Sequence, residues 1–69
     1  MSDNELFEQS FTIAWNVLER TGELGEPIDT SRILSDTIIG MMRRGEKRRL
    51  LLSNVAIDEY RRRPIRPVQ

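Results

Sequence analysis

The chain of 69 residues contains no cysteine and no histidine, and its 11 acidic and 11 basic residues give a formal charge of zero. These counts exclude a disulfide scaffold and metal sites built on thiolates or imidazoles, and we predict neither a metal nor another cofactor. No segment approaches the ~18 consecutive apolar residues of a membrane span. The acidic start also lacks the basic segment and apolar run of a signal peptide, so we predict a cytoplasmic protein without a membrane partner.

The first predicted helix covers about residues 3–21. Ser2 and Glu5 have the spacing of a capping box, which satisfies backbone N–H groups at the start of a helix. Apolar residues recur at helical intervals over residues 7–18 and occupy more than half of the circumference, which indicates contact with two other helices. Gly22 is the predicted stop, because glycine readily takes the left-handed conformation that ends helices.

The second predicted helix covers about residues 29–44. Its predicted N-cap is Asp29 or Thr30, both of which can accept a hydrogen bond from the first turn. If Asp29 is the cap, Ile28 and Ile33 occupy the two positions of a hydrophobic staple. The start of this helix is therefore specified by several neighbouring residues.

Two glycines in this region have different expected roles. Gly45 can end the second helix. Gly40 lies inside the helix, where glycine costs roughly 1 kcal/mol relative to alanine, and it projects toward the polar side. A local bend, a close contact with another molecule and a tolerated glycine remain three open explanations, of which the last is favoured.

The third predicted helix covers about residues 46–62, but its apolar period is less regular. A continuous helix places polar residues on the face shared by Leu51 and Val55, so one alternative is a break at Ser53-Asn54, whose side chains can cap a new turn. The other alternative, which we favour, is an essentially continuous helix with a local distortion, held by Leu50, Leu51, Val55 and Ile57. In either case Pro64 stops the helix.

Together these segments predict a small all-α domain of three helices over residues 1–63. The tail, residues 64–69, contains two prolines and has little to bury, so we predict that it is disordered. A domain of this length buries only about 60% of the surface that its unfolded chain exposes. Chains below ~70–80 residues often gain stability from a second subunit, which makes a homodimer an expectation.

One part of the sequence resembles known proteins. The segment Arg48–Tyr60 and the pattern D-T-x-x-x-L-x-D-T-I at Asp29–Ile38 are similar to small uncharacterised helical proteins of alphaproteobacteria. The resemblance covers about the last two-thirds of the chain. It implies a bacterial cytoplasmic setting and transfers no functional residues.

An enzyme is not predicted, because general bases would have to come from carboxylates, one lysine or one tyrosine. Asp58 and Glu59 are neighbours in sequence, but adjacent residues of a helix point about 100° apart. No phosphate-loop, G-x-S-x-G or H-E-x-x-H pattern occurs. We therefore predict no catalytic residue and no metal ligand.

The two signs of charge are separated along the chain. Residues 1–42 hold eight acids and two bases, a net of −6, and residues 43–69 hold three acids and nine bases, a net of +6. The boundary is the basic junction, Arg43–Arg49. Its five cations are candidate contacts for a nucleic acid or another anion: Arg43, Arg44, Lys47, Arg48 and Arg49.

One observation limits this interpretation. If Gly45 is the turn glycine of a helix-turn-helix, the site four residues earlier should be small and those beside the turn apolar. Those sites hold Met41, Arg44 and Glu46, so the pattern does not fit, and only nonspecific or RNA-directed binding remains. The alternative is a solvated helix junction whose cations pair with the acidic first helix.

Candidate contacts to a protein partner are Trp15, Met41 and Met42. Tryptophan is enriched at binding hot spots, and methionine forms adaptable docking surfaces. Packing in the core is the alternative for all three. We predict a non-enzymatic protein-interaction or regulatory module with an unidentified protein partner, and the alternative is a nucleic-acid-binding accessory protein that uses the basic junction.

Overall fold

Three helices form the structure of the chain, a computed structural model that describes residues 2–63. They are α1 (Asp3–Arg20), α2 (Pro27–Arg43) and α3 (Arg49–Arg62), and this part of the chain contains no strand. The predicted all-α domain of three helices is confirmed. The prediction of a disordered tail falls on residues 64–69, which lie outside the described residues.

Both ends of α1 follow the predicted signals. The hydroxyl of Ser2 accepts a hydrogen bond from the backbone N–H of Glu5 at 3.3 Å. At the other end, Gly22 has a φ of +74°, and the N–H of Glu23 donates to the carbonyl of Leu18 at 2.9 Å. This is the hydrogen bond of a Schellman motif, so glycine ends the helix in the way predicted.

The predicted N-cap of the second helix is wrong. Neither Asp29 nor Thr30 is the cap, because α2 begins two residues earlier, at Pro27, and the carboxylate of Glu26 accepts the N–H of Asp29 at 3.0 Å. Proline suits the first position of a helix, where its missing N–H is not needed. Ile28 is consequently the second residue of α2, is 67% exposed, and does not occupy the predicted staple position.

A second Schellman motif ends α2. Gly45 has a φ of +97°, its N–H donates to the carbonyl of Met42 at 3.0 Å, and the N–H of Glu46 donates to that of Met41 at 3.1 Å. Because a side chain at this φ is strained, glycine is favoured here over every other residue. The predicted role of Gly45 as the end of the second helix is confirmed.

α3 begins three residues later than predicted. The carboxylate of Glu46 accepts both the backbone N–H of Arg48, at 3.0 Å, and its guanidinium, at 2.9 Å, and Arg48 is extended. The helix is then unbroken through Ser53 and Asn54, with the Ser53 hydroxyl donating to the carbonyl of Leu50 at 2.9 Å. The continuous helix is confirmed, and the alternative break does not form. The predicted role of Leu50 in holding this helix is wrong, because Leu50 is 64% exposed.

The core lies where the three helices meet. On α1 every fourth residue from Leu6 to Leu18 is buried, so the buried surface forms one narrow stripe along the helix. Every buried polar side chain in the described part of the chain has a hydrogen-bond partner, which avoids the cost of desolvating an unpaired group. The buried apolar residues are Leu6, Ala14, Leu18, Ile33, Leu34, Ile38, Leu52, Ala56, Ile57 and Tyr60.

The loop between α1 and α2 is fastened to the end of α3. The hydroxyl of Tyr60 donates to the carbonyl of Glu23 at 2.9 Å, and Arg61 forms two hydrogen bonds to the Glu23 carboxylate, at 2.8 and 2.9 Å. Hydrogen bonds from Arg61 and from the hydroxyl of Thr21 lower the pKa of Glu23 from 4.5 to about 2. We call this end of the bundle the loop end.

Candidate functional site

The start of α1, the end of α2 and the start of α3 meet at the opposite end of the bundle, which we call the junction end. The ammonium of Lys47 lies 2.9 Å from the carboxylate of Asp3, and Arg49 donates to the side-chain amide of Gln9 at 2.6 Å. Because successive helices run in opposite directions, the acidic start of the chain lies beside the basic junction. The five predicted cations therefore converge at one end of the molecule.

Two of these cations form ion pairs. Lys47 and its partner Asp3 are both largely exposed, so solvent screens this pair and it contributes little to stability. Arg48 pairs with Glu46 within the basic junction itself. Hydrogen bonds from the guanidinium and the backbone N–H of Arg48 lower the pKa of Glu46 from 4.5 to about 2, so this carboxylate stays ionised near neutral pH.

The other three cations have no carboxylate partner within residues 2–63. Arg49 has only the neutral amide of Gln9, and Arg43 and Arg44 form no ion pair there. All three arginines are exposed. Helix α1 thus neutralises one cation of the basic junction, and most of the predicted positive surface remains accessible.

An apolar groove lies directly beside the basic junction. It has a volume of about 490 Å³ and is lined by Leu6, Lys47, Arg48, Arg49, Leu50 and Leu51. Leu50 is 64% exposed, although it is a large apolar residue. We call this surface the Leu50 groove. Sequence reasoning missed it, because the exposure of Leu50 depends on where α3 begins and on which of its faces is buried.

A second groove lies at the same end, between α1 and α2. It has a volume of about 380 Å³ and is lined by Asp3, Asn4, Phe7, Ile39, Met42 and Arg43. Met42 is half-buried and also packs against the core. The structure therefore brings one predicted partner-binding residue, Met42, next to the predicted cation Arg43.

The other two predicted partner-binding residues lie elsewhere. Trp15 stacks on Phe11, with ring centroids 5.7 Å apart, and Phe11 in turn contacts Phe7 at 5.9 Å. This aromatic row follows one side of α1 and packs half-buried against the core. Met41 also contacts the core and lines a separate groove between α2 and α3. Core packing accounts for much of the surface of both Trp15 and Met41.

Residues 2–63 contain neither a cluster of metal-binding side chains nor a helix that could span a membrane. No cluster of three or more acidic side chains in this range is arranged to hold a metal ion. None of the three helices combines the length and the apolar character that crossing a membrane would need.

Comparison with known proteins gives no match: no family model, curated protein or solved structure is significantly similar to the chain. The resemblance based on Asp29–Ile38 and Arg48–Tyr60 therefore stays a prediction. What the junction end offers chemically is an apolar surface bordered by cations.

Proposed function

We propose that the chain is a non-enzymatic protein-interaction module that binds a partner through its junction end. The observation that carries this proposal is the exposure of Leu50 beside Lys47, Arg48 and Arg49. An apolar side chain inside a charged rim is the arrangement found at protein interfaces, where an apolar anchor is surrounded by polar contacts.

The energetic argument concerns the apolar surface of Leu50. Fully burying a leucine side chain is worth about 1.5–3 kcal/mol, and this residue leaves 64% of its surface in water. Burial of Leu50 against a partner would therefore contribute about 1–2 kcal/mol to the free energy of binding. Ile39, at 39% exposure, lines the other groove at this end and is not part of the Leu50 groove.

Affinity capture from native lysate with the Leu50→Gln variant tests the proposal. Ile28→Gln is the matched control, because Ile28 is also the second residue of its helix and is 67% exposed, but belongs to the loop end. We expect the wild type and Ile28→Gln to retain a protein partner after nuclease treatment and Leu50→Gln to lose it. Equal capture by both variants, or loss of all capture on nuclease treatment, would contradict the proposal.

A second function, nucleic-acid binding, is supported by a different observation. Arg43 and Arg44 are exposed and form no ion pair with any carboxylate of residues 2–63, so both can contact phosphates. Such binding is electrostatic and weakens as the salt concentration rises.

A mobility-shift experiment with a single-stranded RNA and a DNA duplex separates the two functions. We expect a nucleic-acid-binding protein to give a salt-dependent shift that the double variant Arg43→Glu/Arg44→Glu abolishes. Arg32→Glu, an exposed position on the middle of α2, should leave the shift nearly unchanged. If the wild type gives no shift at low salt, nucleic-acid binding is rejected.

A further inference from the structure

We propose that the Leu50 groove receives an acidic, amphipathic segment of the partner protein, with one apolar side chain packed on Leu50 and carboxylates directed at the cations beside it. This inference rests on the proposed function and specifies the chemistry of the partner. Three features of the groove support it: its apolar shape, the exchangeable partners of its cations, and a lining without aromatic side chains.

The groove offers an apolar surface on which a side chain of the partner can pack. Leu6 is buried and forms its inner part, Leu51 is half-buried, and Leu50 projects into solvent. The groove is open to solvent and has a volume of about 490 Å³. An apolar residue of a partner that enters this space would remove water from Leu50 without rearranging the core.

The cations of the groove are available to new carboxylates. Arg49 is bonded to a neutral amide, that of Gln9, and a carboxylate would replace it with a stronger, charge-assisted hydrogen bond. Glu46 occupies two N–H groups of Arg48, whereas a guanidinium carries five. The pair of Lys47 with Asp3 is exposed on both sides, so another carboxylate can exchange with Asp3 at little cost.

A nucleic acid fits the groove less well than an acidic peptide. Single-stranded nucleic acids bind through phosphate contacts and through bases stacked on aromatic side chains. The lining of the Leu50 groove is aliphatic apart from its cations. The row Phe7, Phe11 and Trp15 packs on the core, with Phe7 lining a different groove, and Tyr60 is buried at the loop end. A nucleic acid that is bound only through its phosphates would leave Leu50 in water, so such binding does not use this apolar side chain.

Selection from displayed random dodecapeptides tests the inference without knowledge of the partner. Peptides are selected on the wild-type chain and counter-selected on Leu50→Gln, whose circular dichroism and melting should match the wild type because the side chain is exposed. We expect the Leu50-dependent peptides to be enriched in Asp and Glu and to share a large apolar residue.

A synthetic peptide from this selection then provides the quantitative test. We expect its Kd to rise about tenfold or more with Leu50→Gln and with Arg48→Glu/Arg49→Glu, to rise with salt concentration, and to stay unchanged with Ile28→Gln and Arg32→Glu. A version of the peptide in which every Asp and Glu is replaced by Asn and Gln should bind the wild-type chain with a Kd raised by at least the same factor.

The contrary outcomes are distinguishable. Leu50-dependent peptides of neutral or basic composition would overturn the inference and leave the protein-interaction function standing. If the selection yields no Leu50-dependent peptide and the wild type binds RNA, both the inference and the protein-interaction function are overturned. Leu50-dependent self-association in sedimentation would assign the groove to a second copy, and Leu50-dependent binding to phosphatidylserine vesicles without peptide binding would assign it to a lipid surface. Each of these last two results would overturn the acidic peptide as its occupant.

Discussion

The backbone N–H of Gly25 donates a hydrogen bond to the hydroxyl of Tyr60 at 2.7 Å, across 35 positions of sequence. The same hydroxyl donates to the carbonyl of Glu23, so one buried side chain of α3 satisfies two backbone groups of the loop that joins α1 to α2. This contact holds the loop that precedes α2 against the end of α3.

Replacing Tyr60 by Phe should destabilise the fold. The ring still packs in the core, but two partly buried backbone groups lose their partner, which costs about 1–3 kcal/mol. For a domain of this size, each kcal/mol lowers the Tm by about 4–8 °C. Thermal unfolding followed by circular dichroism measures the change, and an unaltered Tm would show that water replaces the hydroxyl without loss.

Stability should decrease as the pH falls from about 5 to about 2. The pKa values of Glu23 and Glu46 are lowered in the folded chain from 4.5 to about 2. A carboxylate with a lowered folded-state pKa stabilises the fold above its unfolded pKa, and this contribution is lost as protons bind in the range between the two values.

The contribution of each carboxylate to this pH dependence can be separated. We expect Glu23→Gln, which removes the acceptor of Arg61 and Thr21, to reduce the change in Tm between pH 5 and pH 2. Glu46→Gln should act in the same way, through Arg48. Glu8→Gln, on the exposed face of α1, is the control. Parallel Tm curves for all four proteins would contradict the assignment.

Gly40→Ala should stabilise the chain by about 0.5–1 kcal/mol, because alanine is the better helix former and, apart from the adjacent residues and the backbone of the same helix, no heavy atom lies within 4 Å of a Cβ at this position. Gly45→Ala has equal space but a φ of +97°, so the added side chain should cost about 1–2 kcal/mol. Urea unfolding of the two variants compares them directly. A loss of stability in Gly40→Ala would favour a requirement for glycine, such as a bend.

Gln9→Glu should affect binding more than stability. The new carboxylate takes over the hydrogen bond from Arg49 and, as an exposed ion pair, adds at most about 1 kcal/mol to stability. It also competes with an acidic partner for the same guanidinium, so the affinity of the selected peptide should fall. Asn16→Asp adds the same charge to the exposed face of α1 and is the control in fluorescence anisotropy titrations. Equal losses of affinity in the two variants would indicate only long-range repulsion between the added charge and the acidic peptide.

The boundaries that sequence reasoning predicted well depend on local signals. Ser2 and Gly22 act within one turn of α1, so their effect is visible in the sequence. The start of α2 was missed because glutamate is not a favoured N-cap, and Asp29 was the more conventional choice. The start of α3 was missed because the contact of Glu46 with Arg48 keeps three residues out of the helix.

The candidate site was predictable only in part, because it depends on how the helices meet. The charge split along the chain identified the basic junction, but the antiparallel order of the helices turns part of that split into ion pairs between distant segments of the chain. One such pair joins Asp3 to Lys47 and another joins Glu23 to Arg61. The exposure of Leu50 follows from tertiary packing, so neither composition nor spacing indicated it.

The two ends of the bundle are held together by different kinds of contact. The buried side chain of Tyr60 holds the loop end through its hydroxyl, whereas the side-chain hydrogen bonds to α1 at the junction end, from Lys47 in the loop before α3 and from Arg49, are exposed to solvent. Exposed contacts protect the backbone poorly against local opening. Amide hydrogens near Leu50 should therefore exchange with deuterium sooner than those near Tyr60, so the proposed binding end can adjust its shape while the far end stays folded.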